Sequence, residues 1–174
     1  MDDSYNSYSR KQLDDLFLKM IAYYGGDPKR IQHFVKVHSF ARIIAIGEQM
    51  DEGSLFILEA AAYTHDIGIK PAEEKYGQCD GKLQEQEGPT VAQQMLLELG
   101  FENYMIERIC YLIGHHHTYT NMDGMDYQIL VEADFLVNLY EDDANRHTIQ
   151  KAYDNIFRTD TGKQIFAQMY GVEE

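Results

Sequence analysis

The sequence predicts an all-α fold formed as a single domain. Apolar residues recur at three- and four-residue spacing along most of the chain, which is the period of an amphipathic helix. Convincing alternation of apolar and polar residues, as in a half-buried strand, is absent. No repeat, low-complexity tract or linker divides the 174 residues, a length that suits one core. We therefore expect one helical domain over residues 1–174.

Capping residues and helix breakers delimit the elements predicted for the first half. Asp27-Pro28 carries the N-cap residue and the first-position proline of a helix. Ser9 and Ser54 are candidate caps of two others, since a hydroxyl can accept from free backbone N–H groups. The expected elements are helices from Ser9 to the Gly25-Gly26 stop, from Pro28 to about Met50 and from Ser54 to His65, then an irregular stretch at 68–88.

The second half carries further helix signals and a second irregular stretch. Turn residues Asn121, Asp123 and Gly124 mark this stretch, at 115–126. Irregular segments this long within compact domains are usually functional or mobile. The expected helices lie at 88–100, 102–114 and about 127–140, with two more beginning near Asn145 and Thr161.

Composition narrows the classes of partner and compartment. The formal net charge of −14 repels a phosphate backbone, which disfavours long nucleic acid but admits a small nucleotide beside a metal ion. No run of 18 apolar residues exists, so no membrane helix is expected. The start at Met1 to Tyr5 is acidic, unlike a signal peptide, and two isolated cysteines, Cys79 and Cys110, suit a reducing compartment. We expect a cytoplasmic protein.

The dipeptide His65-Asp66 is the first candidate for chemistry. It follows an apolar run at the predicted end of a helix, where an unwinding backbone could let both side chains converge on one ion. Taken alone, the pair is more often a capping Asp beside a partly buried His.

Two further residues strengthen a metal hypothesis. Asp134 has apolar neighbours at three- and four-residue spacing, so it should face inward, where a carboxylate needs a partner. His33 begins an inward stripe of the second helix; His38 competes but lies about 140 degrees round the helix, and we favour His33. Two His and two Asp suit a first-row transition metal such as Mn, Fe, Co, Ni or Zn.

Other polar residues are candidates for a second ion or for substrate. At most two of His115, His116 and His117 can serve one site, and His116 is placed with the buried face three residues after Ile113. Glu87 precedes the fourth predicted helix and is equally consistent with a plain acid at a helix start. Lys70 and Lys75 are candidate phosphate contacts, although solvated surface lysines are more common.

The ordered series His33, His65-Asp66, Asp134 resembles the HD superfamily of metal-dependent phosphohydrolases. The flanks Ala60 to Gly68 and Val131 to Asp134 resemble the family too, and the likeness covers about 30–140. The resemblance implies a helical bundle of the HD type and a metal held by His33, His65, Asp66 and Asp134.

Some branches of the family carry two more histidines and hold two metals. Those positions fall on Glu87 and on the Ile113 to His116 stretch, so one ion is expected and Glu87 puts a second in question. The glycine-tyrosine-proline signature of the cyclic-dinucleotide branch is absent.

The expected function is hydrolysis of a phosphomonoester or phosphoanhydride, on a small nucleotide. A bound metal would polarise a phosphoryl oxygen and lower the pKa of a water. His116 or His117 would stabilise the phosphoryl charge or protonate the leaving oxygen, and Lys70 would neutralise a phosphate oxygen. The alternatives are a dinuclear-iron oxygenase and a nucleotide-sensing module without catalysis. A homodimer is compatible with the 13 tyrosines.

Overall fold

The computed structural model describes residues 3–172, with side chains from Arg10 onward, and this part of the chain forms helices without a strand. The all-α prediction is confirmed. Met1 and Asp2, part of the acidic start of the sequence, lie outside the described residues. The helices are α1 (Asp3–Tyr23), α2 (Pro28–Gly47), α3 (Glu52–Thr64), α4 (Ile69–Tyr76), α5 (Gly81–Glu98), α6 (Asn103–Ile113), α7 (Met125–Glu141), α8 (Arg146–Ile156) and α9 (Asp160–Tyr170).

Helix α2 lies at the centre of the bundle, between α3 and α7. Its apolar stripe, including Phe34, Val37 and Ala41, is buried. Helix α3 presents the small residues Ala60, Ala61 and Ala62, all fully buried, so that neighbouring helices approach it closely. This packing brings the first turns of α2, the end of α3 and the middle of α7 to one place. It is the framework of the site described below.

Several predicted helix starts are confirmed and others are shifted. Asp27 caps α2 by accepting from the Arg30 N–H, and Asn145 caps α8. The expected starts at Ser9, Ser54 and Thr161 are wrong. Helix α1 already runs from Asp3, Asp51 caps α3 by accepting from the N–H of Ser54, and Thr159 caps α9. In the last two cases the cap lies two or three residues earlier than the residue chosen from the sequence.

The irregular stretch expected at 68–88 is also wrong, because it contains α4 and the first part of α5. Asp80 caps α5 by accepting from the Leu83 N–H, and Pro89 lies inside this helix. The periodicity was hidden because the buried positions of this part of α5 are Gln84, Glu87 and Gly88, which are not apolar. A helix whose inner face is polar gives no hydrophobic signal. The stretch from Gly114 to Gly124 is irregular, as expected.

Helix α5 reaches the turn after His65-Asp66 through two glycines. A Cβ placed on Gly68 would lie 2.4 Å from the Gln84 carbonyl oxygen and 2.9 Å from the Gly88 nitrogen. Only a residue without a side chain allows this approach.

Within the described residues, no helix is long and apolar enough to cross a membrane. The cytoplasmic location, the homodimer and the extent of the single domain stay predictions.

Candidate metal centre

The His65-Asp66 dipeptide lies in a turn directly after α3. The Ile67 N–H donates to the Thr64 carbonyl at 2.9 Å, and the Ile69 N–H donates to the Asp66 carbonyl at 3.0 Å. The chain therefore continues in single turns between α3 and α4 instead of one straight helix. His65 is fully buried and Asp66 is partly buried. The expectation that the backbone leaves the helix here and lets both side chains face one point agrees with this geometry.

The four residues predicted as metal ligands converge. The Nε2 atom of His33 lies 3.2 Å from Nε2 of His65, 3.3 Å from Oδ2 of Asp66 and 3.2 Å from Oδ1 of Asp134. Nε2 of His65 lies 3.4 Å from the same Asp66 oxygen and 3.5 Å from the same Asp134 oxygen. Two imidazole nitrogens and two carboxylate oxygens thus meet within a few ångströms. His33, His65 and Asp66 form a group that could hold a metal ion.

Hydrogen bonds at the far side of each ring set the imidazole tautomers. Nδ1 of His65 donates to the Ala62 carbonyl at 2.8 Å, and Nδ1 of His116 donates to the Ile113 carbonyl at 2.8 Å. Nδ1 of His33 donates to the Glu141 carboxylate at 2.8 Å. Nε2 is therefore the nitrogen of each ring that faces the centre, and its lone pair is available to a metal ion once the ring is neutral.

A second group adjoins the first and shares Asp66. Asp66, His116 and His117 each place one ligand atom within 4.8 Å of the others. Nε2 of His116 is buried, lies 3.4 Å from Oδ1 of Asp66, and has no hydrogen-bond partner among the described residues. A buried nitrogen without a partner is costly, and a cation would satisfy its lone pair. The donor set and this unpaired atom both fit a transition metal.

The charges of the centre are strongly coupled. Burial disfavours the imidazolium of His65, yet the Asp66 carboxylate and the hydrogen bond with Asp134 raise its pKa well above the usual value. Burial likewise works against the Asp66 carboxylate, but the positive charge of His65 holds its pKa well below the ordinary range. The pKa of Asp134 is lowered by its hydrogen bonds with His33 and His65, which outweigh burial. The carboxylates are therefore ionised, and they attract a cation.

His117 behaves differently from the other histidines of the centre. Burial, and next the neighbouring His116, lowers the pKa of His117 to about 4. Its Nε2 contacts the Gln84 side-chain oxygen at 3.0 Å, which places the ring proton on Nε2 and the lone pair on Nδ1. A ring that is neutral at pH 7 is a better metal ligand than a proton donor. This favours the ligand role over the acid role for His117.

Three of the predicted residues are not brought into either group. Both carboxylate oxygens of Glu87 are engaged, one by the Lys75 ammonium and one by the Tyr76 hydroxyl at 3.0 Å. The Lys70 ammonium donates to the Tyr23 carbonyl at 3.3 Å and lies 5.0 Å from the centre of the Tyr23 ring. Glu87, Lys70 and Lys75 therefore have structural partners, and a second ion would depend on His116 and His117 instead of Glu87.

The structure also separates the competing histidines. His38 lies outside the centre: its Nε2 contacts the buried Glu59 carboxylate at 2.9 Å, and its ring stacks on Tyr63 at 4.0 Å. His115 donates from Nδ1 to the Tyr111 carbonyl at 2.7 Å. The preference for His33 over His38, and for His116 within the triplet, agrees with these positions.

Sequence reasoning missed several residues that support the centre. The hydroxyl of Tyr24 donates to the Asp66 carbonyl at 2.6 Å, and that of Tyr23 donates to the Ile67 carbonyl at 3.0 Å. The side-chain amide of Asn138 donates to Oδ1 of Asp134 at 2.8 Å. Asn138 lies one turn after Asp134, so helical spacing could have indicated it. Nothing local marks the tyrosines, since their partners are more than 40 residues away.

An open cavity of about 650 Å³ adjoins the centre. Its lining includes His117, a member of the second group, and Asn138, which donates to Asp134. Tyr119 and Phe135 form an aromatic wall with ring centres 5.1 Å apart. The rest of the lining comes from the end of α7, the segment that joins α7 to α8, and the start of α8, namely Leu139, Asp142, Asp143, Ala144, Asn145 and Thr148. The volume suits a small ligand.

The fold and the site together define a class of protein: a helical bundle with a buried His/Asp centre suited to a metal ion. The family model described as HD domain matches residues 30–156, and the chain belongs to this family of metal-dependent phosphohydrolases.

Two solved structures resemble the chain. One is a predicted HD superfamily hydrolase from an uncultured Thermotogales bacterium, with 27% identity, TM-score 0.62, and coverage of 93% of this chain and 84% of that one. The other is YpgQ of Bacillus subtilis, with 16% identity, TM-score 0.66, and coverage of 94% and 89%, which shows the fold alone. No curated protein matches the chain.

Proposed function

We propose that the protein hydrolyses a phosphomonoester or phosphoanhydride of a small nucleotide at the His33–His65–Asp66–Asp134 centre. The observation that carries this proposal is the position of the Asp66 carboxylate. Its Oδ2 faces His33 and His65 at 3.3 and 3.4 Å, and its Oδ1 faces His116 at 3.4 Å. A carboxylate with one oxygen directed to each group can serve two adjacent positively charged partners. Phosphoryl transfer to water is served by such an arrangement.

The residues of the chain have distinct tasks in this reaction. When a divalent ion is bound, it polarises a phosphoryl oxygen and lowers the pKa of a water. His33, His65, Asp66 and Asp134 would hold the ion, and Asp66 would also orient the attacking water by accepting a hydrogen bond from it. His116 and His117 present lone pairs on the far side of Asp66. They would hold a second ion. Without a second ion, they would accept hydrogen bonds from a protonated oxygen of the phosphate.

The cavity beside the centre is proposed to hold the organic part of the substrate. Two aspartates, Asp142 and Asp143, lie in its lining, and no lysine or arginine is among the described lining residues. Further phosphate groups would be repelled there, whereas hydroxyl and amino groups can donate to the carboxylates. The Tyr119 and Phe135 rings offer an apolar wall for a base. We therefore expect the phosphate at the metal centre and a nucleoside in the cavity.

A substrate screen tests the proposal. Protein stripped of metal is reloaded separately with Mn²⁺, Co²⁺, Ni²⁺ and Fe²⁺, and incubated with nucleoside mono-, di- and triphosphates, cyclic nucleotides and sugar phosphates. Released phosphate and pyrophosphate are measured. We expect activity with at least one nucleotide, and loss of more than about 100-fold in kcat for Asp66→Ala. Absence of release with every metal, or full activity of Asp66→Ala, would overturn the proposal.

A dinuclear-iron oxygenase is the second candidate, favoured by the group Asp66, His116 and His117 beside the first. Two sites sharing one carboxylate are compatible with two iron ions. Oxygen consumption by the iron-loaded protein, together with the iron oxidation state, separates this function from hydrolysis. The nucleotide-sensing module is less well supported, because all four predicted ligands are present and converge.

A further inference from the structure

Helix α7 carries three polar side chains on one face. Asp134, Asn138 and Glu141 follow one another at spacings of four and three residues, so they lie along one line of the helix. Asp134 is the predicted ligand, and Asn138 holds its Oδ1 atom at 2.8 Å. Glu141 reaches across to α2 and accepts from Nδ1 of His33 at 2.8 Å. One face of α7 thus carries one predicted ligand, Asp134, and contacts a second, His33.

His33 depends on this contact more than the other histidines do. His65 and His116 each donate from Nδ1 to a carbonyl three residues earlier in the chain, so local backbone orients their rings. His33 lies inside α2, where the carbonyls of the preceding turn are used by the helix. Its Nδ1 partner comes instead from Glu141, 108 residues later. Without that partner, nothing described in the structure would hold the His33 ring proton at Nδ1.

The Glu141 carboxylate is itself held at both oxygens. Oε2 accepts from His33 and Oε1 accepts from the Lys36 ammonium at 2.6 Å. Lys36 lies three residues after His33 on α2, so both donors project from the same side of that helix. The Glu141 side chain is only 12% exposed, whereas that of Lys36 is 38% exposed. The Glu141 carboxylate is therefore largely buried, and each of its oxygens has a donor that fixes it.

We propose that Glu141 is a positioning residue that fixes His33 as the Nδ1–H tautomer, with Nε2 directed at the metal centre, and that Lys36 holds Glu141 in place. A carboxylate behind a ligating imidazole orients the ring and increases its basicity. This inference rests on the metal centre of the proposed function, but on neither its substrate nor its reaction.

Metal affinity tests the inference without any substrate. Metal-free wild type, Glu141→Ala and Glu141→Gln are titrated with Co²⁺, and binding is followed by calorimetry and visible absorption. Loss of such a supporting carboxylate typically costs about 10–100-fold in affinity. We expect a loss in this range for Glu141→Ala. Glu141→Gln should lose less, because its amide oxygen still accepts from Nδ1. Lys36→Met should show a smaller loss than Glu141→Ala.

A matched control separates positioning from general charge. Glu107 is an exposed glutamate of α6, and Glu107→Ala removes the same charge from a helix surface. We expect wild-type Co²⁺ affinity for it. Equal losses for Glu107→Ala and Glu141→Ala would overturn the positioning role.

The imidazole tautomer gives a second readout. In Zn²⁺-loaded protein, ¹⁵N spectra should show the proton of His33 at Nδ1 in wild type, and a changed pattern in Glu141→Ala. Wild-type Co²⁺ affinity in Glu141→Ala, with affinity lost in His33→Ala, overturns the inference alone. Wild-type affinity in His33→Ala overturns the metal centre and the proposed function with it. If Glu141→Ala does not fold, Glu141→Gln and Lys36→Met decide by the same measurements.

Discussion

Replacing Gly68 by alanine tests how closely α5 must approach the His65-Asp66 turn. The added Cβ would lie 2.4 Å from the Gln84 carbonyl oxygen and 2.9 Å from the Gly88 nitrogen. Both neighbours are backbone atoms, so neither can rotate away. Restoring ordinary contact at 3.4 Å requires the two segments to separate by about 1 Å. Gly68 has an ordinary helical φ of −72°, so the expected loss arises from this close contact and not from backbone strain.

The cost follows from overpacking a close backbone contact. Inserting a methyl group into such a site costs about 2–3 kcal/mol. For a domain of this size, each kcal/mol lowers Tm by about 2–4 °C. We therefore expect Gly68→Ala to melt roughly 4–12 °C below wild type, measured by circular dichroism on metal-free protein.

Gly53 provides the control for this substitution. It is exposed in the first turn of α3, and its added Cβ would meet only the Asp51 carboxylate at 3.4 Å. Alanine favours a helix over glycine by about 1 kcal/mol, so Gly53→Ala should melt at or above the wild-type temperature. A Gly68→Ala variant as stable as Gly53→Ala would refute the close approach of α5 to the turn.

Three further predictions address the histidines and one buried acid. His116→Ala should weaken Mn²⁺ binding in a calorimetric titration. His38→Ala should lower stability but leave Mn²⁺ affinity unchanged. Mn²⁺ affinity lost in His38→Ala and kept in His116→Ala would contradict the assigned ligands. Glu132 is fully buried and accepts from the backbone N–H and hydroxyl of Thr159, the N-cap of α9. Glu132→Ala should lower the free energy of unfolding in urea by about 3 kcal/mol. A loss below about 1 kcal/mol would contradict its anchoring of α9. Burial lowers the pKa of His117 to about 4 in the folded protein, whereas the unfolded chain keeps the ordinary value of about 6.5. As the pH falls from about 6.5 to about 4, the unfolded chain binds a proton that the folded protein does not, so the metal-free protein loses stability. His117→Gln should flatten that pH dependence, and an unchanged slope would contradict it.

The centre could be predicted from the sequence because its ligands lie on the buried faces of helices. Polar residues rarely occupy such positions without a partner. Asp134 is only 3% exposed and His33 only 7%, as the apolar spacing around them predicted. The helix start predicted after Glu87 is wrong, because the following Gly88-Pro89 resembles the first positions of a helix. Glu87 lies inside α5 instead, where Lys75 neutralises it.

The remaining support for the centre depends on long-range geometry. Glu141 meets His33 across 108 residues, and the residue types alone do not indicate such a pair. Helix α4 was missed because it has only 8 residues and buries only Ala72. The start of α5 was missed because its buried positions include Gln84 and Gly88, which give no apolar period.

The tyrosines at the end of α1 have a consequence for where the working unit begins. Residues matched by the family model start at 30, yet Tyr23 and Tyr24 hold the carbonyls of Ile67 and Asp66 from outside that boundary. A truncated protein starting at Arg30 would lose both hydroxyl donors and the buried face of α1 that packs on α3. The region that the family model matches therefore omits two donors to the turn of Asp66, and the end of α1 stabilises the backbone that carries this residue.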